Sequence, residues 1–586
     1  MDTMKYKIIS FWLVLFCILF VFLQKGFQYH FFYIEQSQLF QYSWFYGAEK
    51  IVRPGGFALL LSEYVMQFFI LPYAGPAIVS ALLVFAGFVT GRVVSRIIPS
   101  VEIFLLPLLP VVCLLFIHFD FNYRIFGTVA YDCMLLALWF YVSVNKYIYR
   151  LVIGVILSFL LFWGAGSVSL LFAVLVVIYE LLSRTPRGYL SLFICTEVLL
   201  LGICGVYFSW IGEYRFTFLP DAYYHRNLEP KNVIYYSWIC LPLILLVAFG
   251  LKNKKFDWPL KKRAVLWIGQ LLVLGGLLYW GIPEFSDRKS IKLKELDYYA
   301  RMEQWDNIVE ACKGKLTNFL YLCYLNMALA EKGELADKMF YFDQKGPQGV
   351  MVAWNKSEQV SSLLNDVYFA MGYVAPAQEM AFEGYVSSMG YGNPRLLKRL
   401  IQTNLIYGAY PVAEKYISVL ERTFYYKDWA QKQRKFLYND AMIEEDPLLG
   451  VYRKCLPKNC TLAHVRSFEA DLRLLAETNP SNKAAIEYLG GYYLLSKDMQ
   501  GFKNLVETYY GTDILPILPV SFQEAVITLS EKETDYWKRF NVSDGIVRRF
   551  TEYKQAVLAN KNNPASLPGL LNRSFGNTYW YYFMFK

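Results

Sequence analysis

The chain has 586 residues, of which 56% are hydrophobic and only 18% charged, and it carries a net charge of +10. That composition is too apolar for an ordinary soluble chain. The positive excess lies in residues 1–282, with 21 basic and 13 acidic side chains against 37 and 35 in the remainder, so the tail lacks the basic surplus that nucleic-acid binding needs.

In chain order, nine apolar runs read as membrane spans: 8–24, 73–94, 101–118, 125–144, 148–163, 168–182, 189–210, 233–251 and 264–282. Each approaches the ~20 residues that cross a bilayer, the fifth and sixth being short. The tight link Gly164-Ala165-Gly166-Ser167 makes those two a candidate helical hairpin. No small-residue cleavage site follows the first run and further spans do, so it reads as a retained anchor. With the N-terminus inside, 14 basic residues fall on the inner side, Arg92, Arg96, Lys146 and Arg150 among them, and 7 on the outer loops. This is the bias the positive-inside rule expects. An odd number of spans then puts the tail outside the cytoplasm. Asp132 and Glu197 lie within spans. A lone carboxylate in lipid is costly, so each should face the bundle interior, as a proton or substrate site or, as we expect, hydrogen-bonded to a neighbouring helix.

The first outer loop, 25–72, holds Glu35, the turn Arg53-Pro54-Gly55-Gly56 and an apolar segment, 57–70, in which Glu63 and Gln67 lie four apart. That segment is suited to lie on the membrane surface. The layout resembles the membrane glycosyltransferases that use lipid-linked sugar donors (the C superfamily). In these the first outer loop carries an acid soon after the first span, then surface helices. Transfer of a sugar needs a base, or an orienting charge, beside the phosphate–sugar bond. The resemblance places Glu35 in the acid position, with Tyr46, Glu49, Pro54 and Gly56 where such loops have aromatic, polar and turn residues. Glu35 is followed by Gln36, however, where the superfamily often pairs two acids, and the Trp-Trp-Asp type of signature is absent.

Further polar residues on the outer side complete the candidate set. The second outer loop carries His118, Asp120, Asn122 and Arg124, and the fourth carries Arg215, Asp221, His225 and Arg226. Asp120, Asp221 and His225 join Glu35 as candidate catalytic residues. Arg53, Arg124, Arg215 and Arg226 are candidates to hold the phosphates of a polyprenyl-phosphate-linked sugar, since a guanidinium matches phosphate oxygens bidentately. The acids and histidines also make a divalent ion or a pyrophosphate a candidate ligand.

Residues 283–586 lack alternating strand patterns and recur as helical stretches between short turns. Gly372 and Gly408, 36 residues apart, are each followed five residues later by alanine, Ala377 and Ala413. With Trp305, Tyr321, Asn393-Pro394 and Asn479-Pro480, this is similar to the tetratricopeptide pattern, which implies a solenoid that binds peptides or protein partners. On the oxidising side Cys312, Cys323, Cys455 and Cys460 are candidates to pair, the last two best placed. The aromatic end, from Tyr579 to Phe585, suits either the membrane interface or the packing of the tail. No Cys-x-x-Cys, Gly-rich phosphate loop, Ser/His/Asp arrangement or zincin motif occurs.

As a whole the chain resembles an uncharacterised bacterial family of polytopic membrane proteins. The expected fold is all-α: a transmembrane bundle of about nine spans (1–282) in the inner membrane, contacting lipids, followed by a periplasmic helical-repeat domain (283–586). The expected function lies in cell-envelope assembly, as a glycosyltransferase-like protein or as a scaffold whose tail binds envelope proteins.

Overall fold

The computed structural model describes residues 2–98, 103–225, 229–254, 258–388, 392–457, 468–531, 533–560 and 564–586. Among these the regular structure is helical, and extended backbone meets only in isolated bridges. The chain divides into two compact units, Met1–Ile291 and Lys292–Lys586.

The first unit contains α1 (Asp2–Gln36), α2 (Trp44–Ile51), α3 (Gly56–Met66), α4 (Ala74–Ile97), α5 (Leu105–Ile117) and α6 (Ile125–Ser143). It continues with α7 (Tyr147–Ala165), α8 (Val168–Leu182), α9 (Leu192–Tyr207), α10 (Tyr214–Phe218), α11 (Val233–Leu251) and α12 (Leu260–Phe285). Seven helices among the described residues are long and apolar enough to cross a membrane: α1, α4, α6, α7, α9 with the 3-10 turn before it, α11 and α12. The chain is therefore a multi-pass membrane protein. Two of the nine expected spans differ. The third and sixth form α5 and α8, of 13 and 15 residues, short of the ~20 a crossing takes. Pro107 and Pro110 lie in α5, and a proline removes a backbone donor from the helix. Gly166, at φ +84°, ends α7 just before α8 begins.

The first loop is also shorter than its sequence suggests, because α1 runs on through Lys25 to Gln36. The turn at Arg53–Gly56 does launch a helix. Gly55, at φ +81°, precedes α3 in a conformation that costs a glycine little. Its N–H donates to Trp163 O at 2.8 Å, and a Cβ there would stand 3.5 Å from the Gly166 backbone. Two glycine turns, 111 residues apart in sequence, thus dock backbone to backbone.

At the other end of α6 and α7, Arg150 grips Glu180 with two bonds, Nε–Oε1 at 2.8 Å and Nη2–Oε2 at 2.9 Å. Tyr141 donates to the same carboxylate at 2.9 Å, and Arg150 Nη1 reaches Val144 O at 3.1 Å. This buried network ties α6, α7 and α8 together. Of the two carboxylates in spans, Glu197 accepts the Ser158 hydroxyl at 2.6 Å and links α9 to α7. Asp132 is only 5% exposed, and neither of its oxygens has a hydrogen-bond partner among the described residues.

In the second unit, Gly372 (φ +80°) and Gly408 (φ +73°) each turn one helix into the next, and Ala377 and Ala413 are fully buried. Asn393 caps the helix Pro394–Tyr407 by accepting from the Arg395 and Leu396 N–H groups. Arg395 is buried between Asp297, at 2.6 Å, and Asp366. Arg399 also reaches Asp366, at 3.3 Å, and lies over the Phe369 ring, which stacks on Tyr452. The aromatic end forms the helix Tyr579–Phe585 and packs into this unit, with Tyr579, Trp580, Tyr581 and Tyr582 buried. Cys312 and Cys323 are separate buried thiols. The expected Cys455–Cys460 pair lies outside the described residues, because Cys460 does.

Candidate functional site

Loops between helices of the first unit converge on one face. Tyr223 lies at their centre, buried, in the 3-10 turn Pro220–Tyr223. Its hydroxyl donates to Ala165 O at 2.8 Å and accepts from Val168 N at 3.0 Å, and its carbonyl accepts from Arg124 N at 3.0 Å. One residue on, Tyr224 pairs with Tyr123 in a short antiparallel bridge, and His225 N donates to Asn122 O at 3.1 Å. The second and fourth outer loops of the sequence reading therefore form one structure.

Asp120 is buried in it. Its Oδ2 accepts the Tyr224 hydroxyl at 2.6 Å and stands 3.4 Å from Lys231 Nζ, while Oδ1 accepts Asn122 N. Asp221, also buried, accepts the Tyr235 hydroxyl at 2.7 Å. Burial and then the bond to Asp120 raise the Tyr224 phenol well above its ordinary range. His225, half-buried, is pushed down by burial and by the nearby Arg124 guanidinium, so its neutral form prevails at pH 7. Arg124 sits at the start of α6, beside this loop pair.

Glu35 occupies the last turn of α1 and is buried, as are Gln36, Gln38 and Gln41 after it. Four polar side chains within seven residues are thus withdrawn from the surface at a helix end. Two neighbours bring this end to the loop pair: Tyr33 meets Phe121 edge-on at 6.0 Å, and Phe27 stacks on Phe119 at 4.5 Å. Arg53 is exposed on its turn, and Arg215 pairs with Glu213 at 3.0 Å. Arg226 lies outside the described residues. Among the described residues, no group of three or more His, Cys, Asp or Glu side chains is placed to hold a metal ion.

Sequence reasoning passed over Lys231, and it took Glu63 for a surface position rather than a buried partner of Lys50. In α3 the polar and apolar sides are turned about relative to a water-facing helix. Glu63 is buried, 2.6 Å from Lys50 Nζ, and accepts the Tyr46 hydroxyl at 2.5 Å, while Phe57, Leu61 and Tyr64 are exposed. Burial, and then Glu63, raise the Tyr46 phenol. In α2, Trp44 and Phe45 are each 84% exposed. Apolar side chains outward and a charge pair inward are what a helix pair resting in a membrane interface requires. The spacing of Lys50 and Glu63 across a turn gave no i,i+4 signal, and Lys231 is one loop cation among several.

Residues 4–586 match the Family of unknown function (DUF6057), and the chain belongs to that family. No curated protein and no solved structure matches it.

Proposed function

We propose that this family member is an envelope-assembly protein of the bacterial inner membrane. Its first unit engages a lipid-linked sugar at the loop face and transfers the sugar as a glycosyltransferase does. The observation that carries this reading is the buried polar end of α1, Glu35 with Gln36, Gln38 and Gln41, set beside the joined loops that carry Asp120 and His225. Gln38 Oε1, buried at this end, has no hydrogen-bond partner among the described residues, and a hydroxyl-rich sugar head group would supply one. An acceptor hydroxyl would attack the anomeric carbon as the bond to the lipid phosphate breaks. The Glu35 carboxylate would take the hydroxyl proton, and the lipid phosphate would leave with the bonding electrons. Arg124 and Arg226, flanking the loop pair in sequence, are the arginines suited to the phosphates, with Asp120, Asp221 and His225 positioning the acceptor. Arg53 and Arg215, exposed, fit a role at the lipid headgroups better. Nine passes with the N-terminus inside would put this face, and the second unit, in the periplasm.

A second reading also has an observation in its favour. Asp120 and Asp221 each accept a tyrosine hydroxyl and brace the loops, which suits a non-catalytic scaffold. Its second unit, with glycine turns between paired helices, would recruit envelope proteins in the manner of tetratricopeptide repeats. The two readings part in one experiment. In a deletion strain, lipid-linked sugars and surface glycans are profiled, then the chain is restored as wild type or as Glu35→Gln at matched abundance. Transfer predicts that wild type restores a missing glycan and Glu35→Gln does not. Full rescue by Glu35→Gln removes the catalytic role and leaves the scaffold.

A further inference from the structure

The second unit contains a cavity of about 680 Å³ beside the C-terminal helix Tyr579–Phe585, well within the ~300–1,000 Å³ of small-molecule sites. Its wall is polar and cationic. Lys315, Arg549, Arg573 and Lys586 line it with Tyr341, Asn572 and one acidic side chain, Asp343. That carboxylate is already committed. Asp343 pairs with Lys586, and its Oδ2 accepts Leu316 N at 3.2 Å. Lys345 stands on its other side at 4.0 Å. Among the described residues none of the three remaining cations stands within ion-pair distance of a carboxylate, although Arg549 is near enough to Glu524 to draw its carboxyl down against the effect of burial.

One of the three is held in place. Arg549 donates through Nη2 to Asn577 Oδ1 at 2.6 Å and to Ser574 O at 3.3 Å, bonds that fix its guanidinium, and among the described residues the rest of its N–H fork has no hydrogen-bond partner. A site of this kind attracts anions. Yet the cavity is far larger than one oxyanion, and its amide and phenol groups would be wasted on one. A lipid tail or an apolar peptide would leave the charged wall desolvated and unpaired. We infer that the cavity binds a small anionic saccharide, a sugar bearing carboxylate or phosphate. The anionic group would sit on Arg549 and Arg573, the hydroxyls on Asn572, and a ring face on Tyr341, which is half exposed. This inference does not rest on the transferase reading, since it concerns the second unit alone and is tested by binding.

The test is calorimetric titration of the detergent-solubilised full chain with trigalacturonate, with glucose 6-phosphate, with neutral maltotriose and with inorganic phosphate. The variant Lys315→Ala/Arg573→Ala alters two exposed side chains, and Lys427→Ala/Lys538→Ala, elsewhere on the unit, is the control. The expected result is binding of the uronate or the sugar phosphate, no binding of maltotriose, and roughly tenfold or greater weakening in the first variant but not in the control. The galacturonate and sugar-phosphate arms tell a carboxylate ligand from a phosphate one. Binding unchanged by Lys315→Ala/Arg573→Ala would overturn the inference, and so would inorganic phosphate binding as tightly as either sugar. Failure of both anionic sugars to bind would do so as well, and Tyr341→Ala, which keeps every charge, should weaken the sugars without altering phosphate.

Discussion

At the scale of single residues, the second unit carries three glutamates, Glu487 and Glu524 buried and Glu358 partly so, whose carboxyls are pushed up to about 7 by loss of solvent. Glu524 is the most telling, because it anchors the C-terminal helix. Its Oε2 accepts Tyr579 N at 2.7 Å, and its carbonyl accepts the Trp580 indole N–H at 2.8 Å. The sign of the linkage follows from the raised value. Between the unfolded value of 4.5 and about 7 the folded chain binds the proton that the unfolded chain has released. Stability from this group is therefore complete below 4.5 and is lost as pH rises through 7. The loss should be on the order of 1–3 kcal/mol per glutamate. Glu524→Gln keeps the shape and the acceptor but cannot ionise. We expect its melting temperature to fall less than that of wild type between pH 5 and pH 8, measured by thermal shift on the solubilised chain. Parallel slopes for the two proteins would mean that Glu524 is already ionised at pH 5. Nothing in the sequence marks Glu524, since burial comes from helices 55 residues away, whereas Glu35 stood out by its place after the first span.

At the scale of elements, the helix ends at Ser143, Tyr147 and Leu182 depend on one ion pair. Removing a single member of a buried pair leaves the other charge uncompensated, at about 3–5 kcal/mol, whereas replacing both with apolar groups is often near neutral. Glu180→Leu alone, and Arg150→Met alone, should each lower the yield and melting temperature of the solubilised protein severely. The double variant, with Tyr141→Phe to remove the third member, should recover most of the loss. Losses that simply add would show that the pair is not coupled. This lock also marks where sequence reading stops. The long helices are legible because an apolar run near 20 residues has few alternatives to crossing a bilayer. Arg150 is legible only as a positive charge near a span end. That it faces Glu180, 30 residues on, depends on how α7 and α8 pack, which no local spacing encodes. The docking of Gly55 on Gly166 was hidden for the same reason, although both turns were visible. The pattern of α3 reads as a membrane-surface helix with Glu63 and Gln67 on one polar face, but Glu63 is buried against Lys50.

At the scale of the first unit, the two short helices determine the route of the chain. Gly55, Arg124, Trp163, Ala165 and Tyr223 meet on one face. The chain leaves that face through α4, whose far end places Val93 and Val94 around the same small cavity as Leu138 of α6 and Leu175 of α8. Yet α6 begins at Ile125, back among Arg124 and Tyr223. The segment between Ile97 and Arg124, of which α5 is the described helix, must return the chain to the first face. Likewise α8 starts at Val168, bonded to Tyr223, and ends beside the Arg150–Glu180 pair, so it runs from one face to the other. We therefore expect nine passes in the membrane, although only seven helices have the length for one. A count of the ends cannot tell these apart, because seven and nine are both odd and leave Lys586 on the same side. Intermediate positions can. Paired fusions to alkaline phosphatase and to green fluorescent protein after Phe121 and after Lys146 should give phosphatase activity at Phe121 and fluorescence at Lys146. Seven passes would reverse both, because a chain that fails to cross at α5 exposes Phe121 to the cytoplasm and carries Lys146 outside. The nine-pass outcome also agrees with the charge pattern, since it keeps Lys146 and Arg150 on the inner side with Arg92 and Arg96. It would place the Glu35 end of α1 and the Asp120 loop together on the outer surface, where the carrier phosphate of a lipid-linked sugar is presented, whereas a reversal at Phe121 would part the topology from the loop packing and remove the ground for a shared site.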